Sequence, residues 1–170
     1  NNDATPIRTA IELNNIVTHS TGTDIFGNKT KTTTITNYLI VMGKMVTSHV
    51  KSTTSSTDIL GATTISTSDT TYKYSINGKT QYTGKEILNP GDILVFSSVR
   101  TETTTQGEDI YGGTWKTDEP LIVEQVYRAA TNNKGKTIYI YDMFVNGAKV
   151  VLFNNDATPI RTAIELNNIV

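Results

Sequence analysis

Apolar residues recur at alternate positions along most of this chain. From residue 7, Ile7, Thr9, Ile11 and Leu13 alternate with Arg8, Ala10, Glu12 and Asn14, the period-2 pattern of a strand with one buried face. Lys31 to Met42 and Lys44 to Val50 read as strands joined at Gly43, and a Ser/Thr-rich turn then leads into Asp58 to Ser66. Tyr72, Tyr74 and Ile76 alternate again before Asn77-Gly78, a dipeptide that supplies the positive φ angles of a tight hairpin into Lys79 to Thr83. Asn89-Pro90-Gly91-Asp92 launches Ile93 to Thr105, whose Ile93-Leu94-Val95-Phe96 run suggests burial on both faces. Leu121 to Ala130 and Lys136 to Val145 flank Asn132-Asn133-Lys134-Gly135, and Asn146-Gly147 turns into Ala148 to Phe153.

These segments predict an all-β fold of about nine or ten strands. Turn signals at this spacing favour an antiparallel β-sandwich, Ig-like or jelly-roll-like. Only Leu121 to Ala130 contains good helix formers, Glu124, Gln125 and Arg128, and the apolar pairs Ile122-Val123 and Val126-Tyr127 favour strand there too. Composition agrees: threonine occurs 31 times in 170 residues, and its branched side chain suits a pleated surface better than a helix.

The two ends of the chain are copies of one another. Asn1 to Val17 (NNDATPIRTAIELNNIV) recurs unchanged as Asn154 to Val170, dividing the chain into a unit over 1–153 and a second copy over 154–170. The offset suits a tandem array cut just past one period; deliberate duplication of a strand and a copying artefact are the alternatives. In each copy a polar Asn-Asn-Asp-Ala-Thr-Pro connection precedes the strand, and Pro6 and Pro159 keep it short and stiff. A sheet edge accepts a matching strand whichever chain supplies it. Ile7, Ile11 and Leu13, and their counterparts Ile160, Ile164 and Leu166, are therefore candidate joining residues between copies of this chain. Burying each contributes about 1.5–3 kcal/mol before ordering costs.

Charge and motifs narrow the alternatives. A net charge of −1 and a pI near 6.1, with lysines dispersed along the chain, give no basic stripe for nucleic acid, and no apolar run approaches the roughly 18 residues of a membrane span. Cysteine is absent, which excludes disulfides and thiolate chemistry. His19, read as a loop residue, and His49, read on a strand, have no partner at metal-ligand spacing, and no catalytic fingerprint occurs; a non-enzymatic role is expected. Glu108, Asp109, Asp118 and Glu119 flank a Gly-rich segment where loop carboxylates suit calcium. Tyr111 and Trp115, placed in the same loop, suit stacking on a glycan ring. Asn28-Lys29-Thr30 is a glycan acceptor sequon in a secreted chain.

The end duplication, the Thr/Asn-rich strands and the segment Ile87-Leu88-Asn89-Pro90-Gly91-Asp92-Ile93-Leu94-Val95-Phe96 resemble the immunoglobulin-like tandem repeats of prokaryotic surface adhesins and, equally, subunits of extracellular fibres built by donor-strand exchange. The resemblance implies a cell-surface location and an assembly role in a filament, sheath or stalk. It transfers no catalytic residue. The crosslinks that some such domains form between first and last strands are not expected in their usual placement, since the first strand lacks Lys and the last lacks Gln; Lys149 leaves a reversed arrangement open.

Overall fold

The computed structural model describes residues 11–154 and 157–159. In chain order the strands are β1 (Ile11–Thr23), β2 (Lys29–Val41), β3 (Lys44–Thr57), β4 (Thr63–Ile76), β5 (Thr80–Tyr82), β6 (Leu94–Glu108), β7 (Thr114–Lys116), β8 (Leu121–Thr131), β9 (Thr137–Val145) and β10 (Ala148–Val150). Among the described residues the expected all-β, antiparallel architecture is present, in ten strands; the two separate sheets of the expected Ig-like or jelly-roll-like sandwich are not among them. Hydrogen bonding gathers all ten into one sheet, in the order β1-β2-β3-β4-β6-β8-β9-β10, with β5 on β4 and β7 on β6.

Several boundaries differ from the sequence reading, each because tertiary pairing extends a strand through polar residues. The Ser/Thr run after Val50 is not a turn: it continues β3 to Thr57, paired with β2 on one side and β4 on the other. Residues 63–76 form one strand instead of two. β1 reaches Thr23, so His19 stands on a strand and not in a loop. Trp115 also lies on a strand, β7, opposite Gly107 of β6. A bulge at Leu13/Ile16 interrupts the alternation of β1; Asn15 there has φ 59° and its N–H donates to Asn37 Oδ1 at 2.7 Å.

The sheet has two unlike ends. At one, Thr23, Lys29, Thr57, Thr63, Glu108 and Thr114 are successive partners in a single row, and this end is termed the top. Below it hydroxyls pair between strands: Thr32 with Thr54 at 2.9 Å, Thr34 with Ser52 at 3.2 Å, and Thr70 with Thr101 at 3.0 Å. The apolar core lies towards the bottom, where Val41, Tyr74, Tyr82 and Leu88 are buried against Leu39, Val46, Tyr72, Ile76 and Leu94. The Asn77-Gly78 and Asn146-Gly147 hairpins form as expected, with positive φ at all four residues.

Candidate assembly edges

Among the described residues β1 is hydrogen-bonded to β2 alone, so its other side is an open edge of the sheet. Ile11, Leu13, Ile16 and Val17 on this strand are exposed. Of the six predicted joining residues, Ile11 and Leu13 are thus placed on an edge; Ile7, Ile160, Ile164 and Leu166 lie outside the described residues.

The opposite edge is β10, bonded to β9, and the chain reverses just beyond it. Asn154 N–H donates to the Thr158 carbonyl at 2.9 Å and Ala157 N–H to the Asn154 carbonyl at 2.9 Å. The Asn154 amide also donates to Thr158 Oγ1 at 3.0 Å, and Phe153 and Pro159 form an antiparallel bridge. This turn is formed by the first residues of the second copy, ahead of the segment whose sequence matches β1. Because neighbours alternate in direction across the sheet, β1 ascends towards the top and β10 descends. At Pro159 the chain runs antiparallel to Phe153.

The two regions of the sheet are tied by a file of rings. Tyr72 and Tyr74 of β4 lie 6.2 and 5.2 Å from Phe96 of β6, which lies 5.4 Å from Tyr127 of β8; Tyr127 is 5.3 Å from Tyr141 of β9, and Tyr141 is 5.8 Å from Phe153. Such pairs contribute about 0.5–1.5 kcal/mol each beyond burial. Burial, with the Tyr72 ring beside it, pushes the Tyr74 phenol up to about 12, and its hydroxyl donates to the Thr47 carbonyl at 2.7 Å. On β9 the buried Asp142 faces Lys149 Nζ at 3.1 Å and Arg128 Nε at 3.2 Å. Burial alone raises this carboxyl, but the two cations outweigh it and hold Asp142 below its ordinary 3.8. Lys149 is thereby engaged in an ion pair.

The other candidate residues gather at the top. Trp115 is half-exposed and lies across Gly107, where a Cβ would stand 2.6 Å from the ring. It lines an open groove with Ile65, Gln106, Glu108, Lys116 and Asp118. Tyr111 is at the tip of the same β6–β7 hairpin. Asp109 does not face this groove as a free carboxylate, since its Oδ1 accepts the N–H groups of Tyr111 and Gly113 at 2.8 and 2.9 Å. Glu119 is exposed beyond β7. Among the described residues no group of three or more carboxylates or histidines is placed to hold a metal ion. His49 does have a partner that spacing along the chain concealed, Asp69 of β4 at 2.7 Å. The sequon side chain Asn28 is also engaged, donating to Asp24 Oδ2 at 2.8 Å and accepting the Ile59 N–H at 3.1 Å.

One repeated element escaped the sequence reading. Asp24-Ile25-Phe26-Gly27, Asp58-Ile59-Leu60-Gly61 and Asp109-Ile110-Tyr111-Gly112 are the same tetrapeptide in outline, and each closes a hairpin at the top. In each, the Asp Oδ1 accepts the backbone N–H groups two and four residues on, and the glycine takes a φ of 84–100°. This is a type I turn followed by a left-handed residue. The recurrent Asp-Ile-x-Gly was the available signal.

Comparison of the chain with protein-family models, with curated proteins and with solved structures finds no match.

Proposed function

We propose that this chain is a structural unit of an extracellular, cell-surface filament, sheath or adhesin stalk, and that its units join edge to edge through the duplicated strand. The observation that carries the proposal is the hairpin turn at Asn154–Thr158 with its Phe153–Pro159 bridge, which opens the second copy and precedes Ile164–Val170, the repeat of Ile11–Val17 in the opposite edge. A strand laid against β10 from that turn runs in the direction of β1. The copied segment can then be the last strand of one unit and the first of the next, so that a single antiparallel sheet continues through successive units. The Phe153 ring at the end of the aromatic file supports this edge as a packed junction. In a covalent array the joint is the chain itself; between separate chains it is strand donation, and a contact of this heterologous kind runs on as a filament.

Electron microscopy and light scattering test the reading. The full chain, or a chain of several 153-residue periods, is expected to form extended particles, and removal of residues 160–170 from the single-unit chain is expected to abolish particles longer than a pair. Unchanged particle size after that removal would refute strand joining. A second reading, a glycan-binding adhesin module, is favoured by the half-exposed Trp115 beside its groove; glycan binding that is lost in Trp115→Ala would establish it.

A further inference from the structure

The three top hairpins place their most apolar residues where the fold does not use them. Ile25, Phe26, Ile59, Leu60, Ile110 and Tyr111 are 92, 69, 72, 73, 46 and 90% exposed. At roughly 150–200 Å² for a free side chain of this size, these tips present about 650–900 Å² of largely apolar surface. The largest apolar patch of a typical monomer is about 300–600 Å², and one partner of a standard protein interface buries about 800 Å². The first two tips are also tied to one another: the Asn28 amide oxygen accepts the Ile59 N–H, and a Cβ on Gly27 would lie 3.8 Å from Ile59 Cδ1.

We infer that the top end is a docking surface for a second copy of this chain, tips against tips. Three observations select this occupant. The surface is of the size that a stable pair requires. At the opposite end Met42, Met45, Ile87 and Ile93 are exposed, but the matching hairpin presents Asn133 and Lys134; laid on the top tips it would bury Lys134 against isoleucine and phenylalanine, at the cost of a desolvated charge. The surroundings carry an excess of acid, with Asp24, Asp58 and Asp109 in the turns and Glu108, Asp118 and Glu119 nearby against Lys29 and Lys116. That excess disfavours the anionic face of a lipid bilayer. The contact is isologous and closes as a pair, unlike the open-ended joining of the edges. In the edge-joined filament of the preceding section it would pair two filaments along their borders, but it does not depend on that joining.

The absence of cysteine makes a direct test available. In the full chain, Leu60→Cys is expected to form covalent dimers under mild oxidation at least tenfold faster than Lys134→Cys, which occupies the corresponding tip position at the bottom. Analytical ultracentrifugation of the triple variant Phe26→Asp, Leu60→Asp, Tyr111→Asp is expected to show the pair forming only at tenfold or more higher concentration. Its far-ultraviolet circular dichroism should be unchanged, since all three side chains are largely solvent-facing. If edge joining fails and tip pairing holds, the parent chain is a dimer and the triple variant a monomer; if tip pairing fails, parent and triple variant show one size distribution whatever the edges do. Equal crosslinking of the two cysteine variants overturns the inference. So does parent chain that stays unpaired yet floats with phosphatidylcholine vesicles while the triple variant does not, since the tips would then be lipid-seeking.

Discussion

The same five-residue turn closes hairpins at both ends of the sheet, and its middle residues are opposite in character at the two. At the bottom Asn132 accepts the N–H groups of Lys134 and Lys136 through Oδ1, at 3.0 and 2.9 Å, and Gly135 takes the left-handed position. That is the bonding of the Asp24, Asp58 and Asp109 turns, achieved with Asn133 and Lys134 at the tip. The turn therefore requires a short acceptor side chain first and a left-handed residue fourth, and nothing apolar between them. The isoleucines and the Phe, Leu and Tyr of the top tips are not explained by folding. They also stand beyond a Thr/Ser-rich stretch of sheet, away from the core that stabilises the bottom half. The buried apolar cluster of the bottom half holds the molecule together; the apolar residues of the top tips are available to something else.

Substitution can break this contrast or sharpen it. Leu88 is 2% exposed, and Leu88→Ala is expected to destabilise by about 3 kcal/mol, the sum of lost transfer energy and the cavity left behind. Leu60→Ala is expected to change stability by less than about 0.5 kcal/mol. Urea denaturation of both variants at a concentration low enough to suppress association measures the difference; comparable losses would place the Leu60 tip in the folding core. Next in size is Phe96→Leu, which removes the ring that contacts Tyr72, Tyr74 and Tyr127. A loss of about 2 kcal/mol is expected, from ring contacts of about 0.5–1.5 kcal/mol each. A loss below about 0.5 kcal/mol would show that the aromatic file follows from the strand register without supporting it.

The strands were legible in the sequence to the extent that their alternation was apolar. Val95 and Phe96 marked β6, and Asn77-Gly78 and Asn146-Gly147 marked their hairpins because few other residues adopt positive φ at two successive positions. What could not be read was the behaviour of threonine and serine. Residues 51–57 carry the same composition as a polar loop, and only pairing on both sides turns them into strand; the hydroxyl contacts that hold them, such as Thr53 to Thr67, exist only after the sheet has formed. Sheet order was likewise hidden, so His49 appeared alone although Asp69 stands across from it. The edges were half legible: duplication named the strand, but the Asn154–Thr158 turn carries Ala157 at its left-handed position and no glycine to announce it. The tip row was present in plain letters as Asp-Ile-x-Gly, and was missed because each copy alone is an ordinary turn.

Acid should find a weak point within the bottom half. Asp142 is held below 3.8 despite its burial, by Lys149 and Arg128, so its contribution is present above the unfolded-state value and is lost as pH falls through the lower folded value. Asp142→Asn is expected to cost about 1–2 kcal/mol near neutrality, less than for a fully buried pair because both cations are about half-exposed and can return to water. Below pH 4 the cost should shrink, since the parent also loses the charge. A constant difference between the two chains from pH 7 to pH 2 would exclude an ionic role. At the other extreme, Tyr74 favours the folded state as a neutral phenol: its contribution is whole below about 10 and fades as pH rises through about 12.

The smallest expected effect bears most directly on the joint between units. Four of the five matching turns place glycine at the left-handed position, and the fifth places Ala157 there with φ 63°. Alanine in that conformation costs about 1 kcal/mol that glycine does not, while glycine loosens the unfolded chain by somewhat less. Ala157→Gly should therefore stabilise the turn by a few tenths of a kcal/mol and at most about 1. The gain would appear as slowed amide exchange at Ala157 and Asn154, whose N–H groups close the turn. Strand joining requires the turn to be formed, so in a chain of several periods the same substitution at every junction should raise the melting temperature cumulatively with the number of junctions. A gain in the turn with no gain per junction would mean that the turn forms but does not direct a strand, and the edges would then have to be joined by some other part of the molecule.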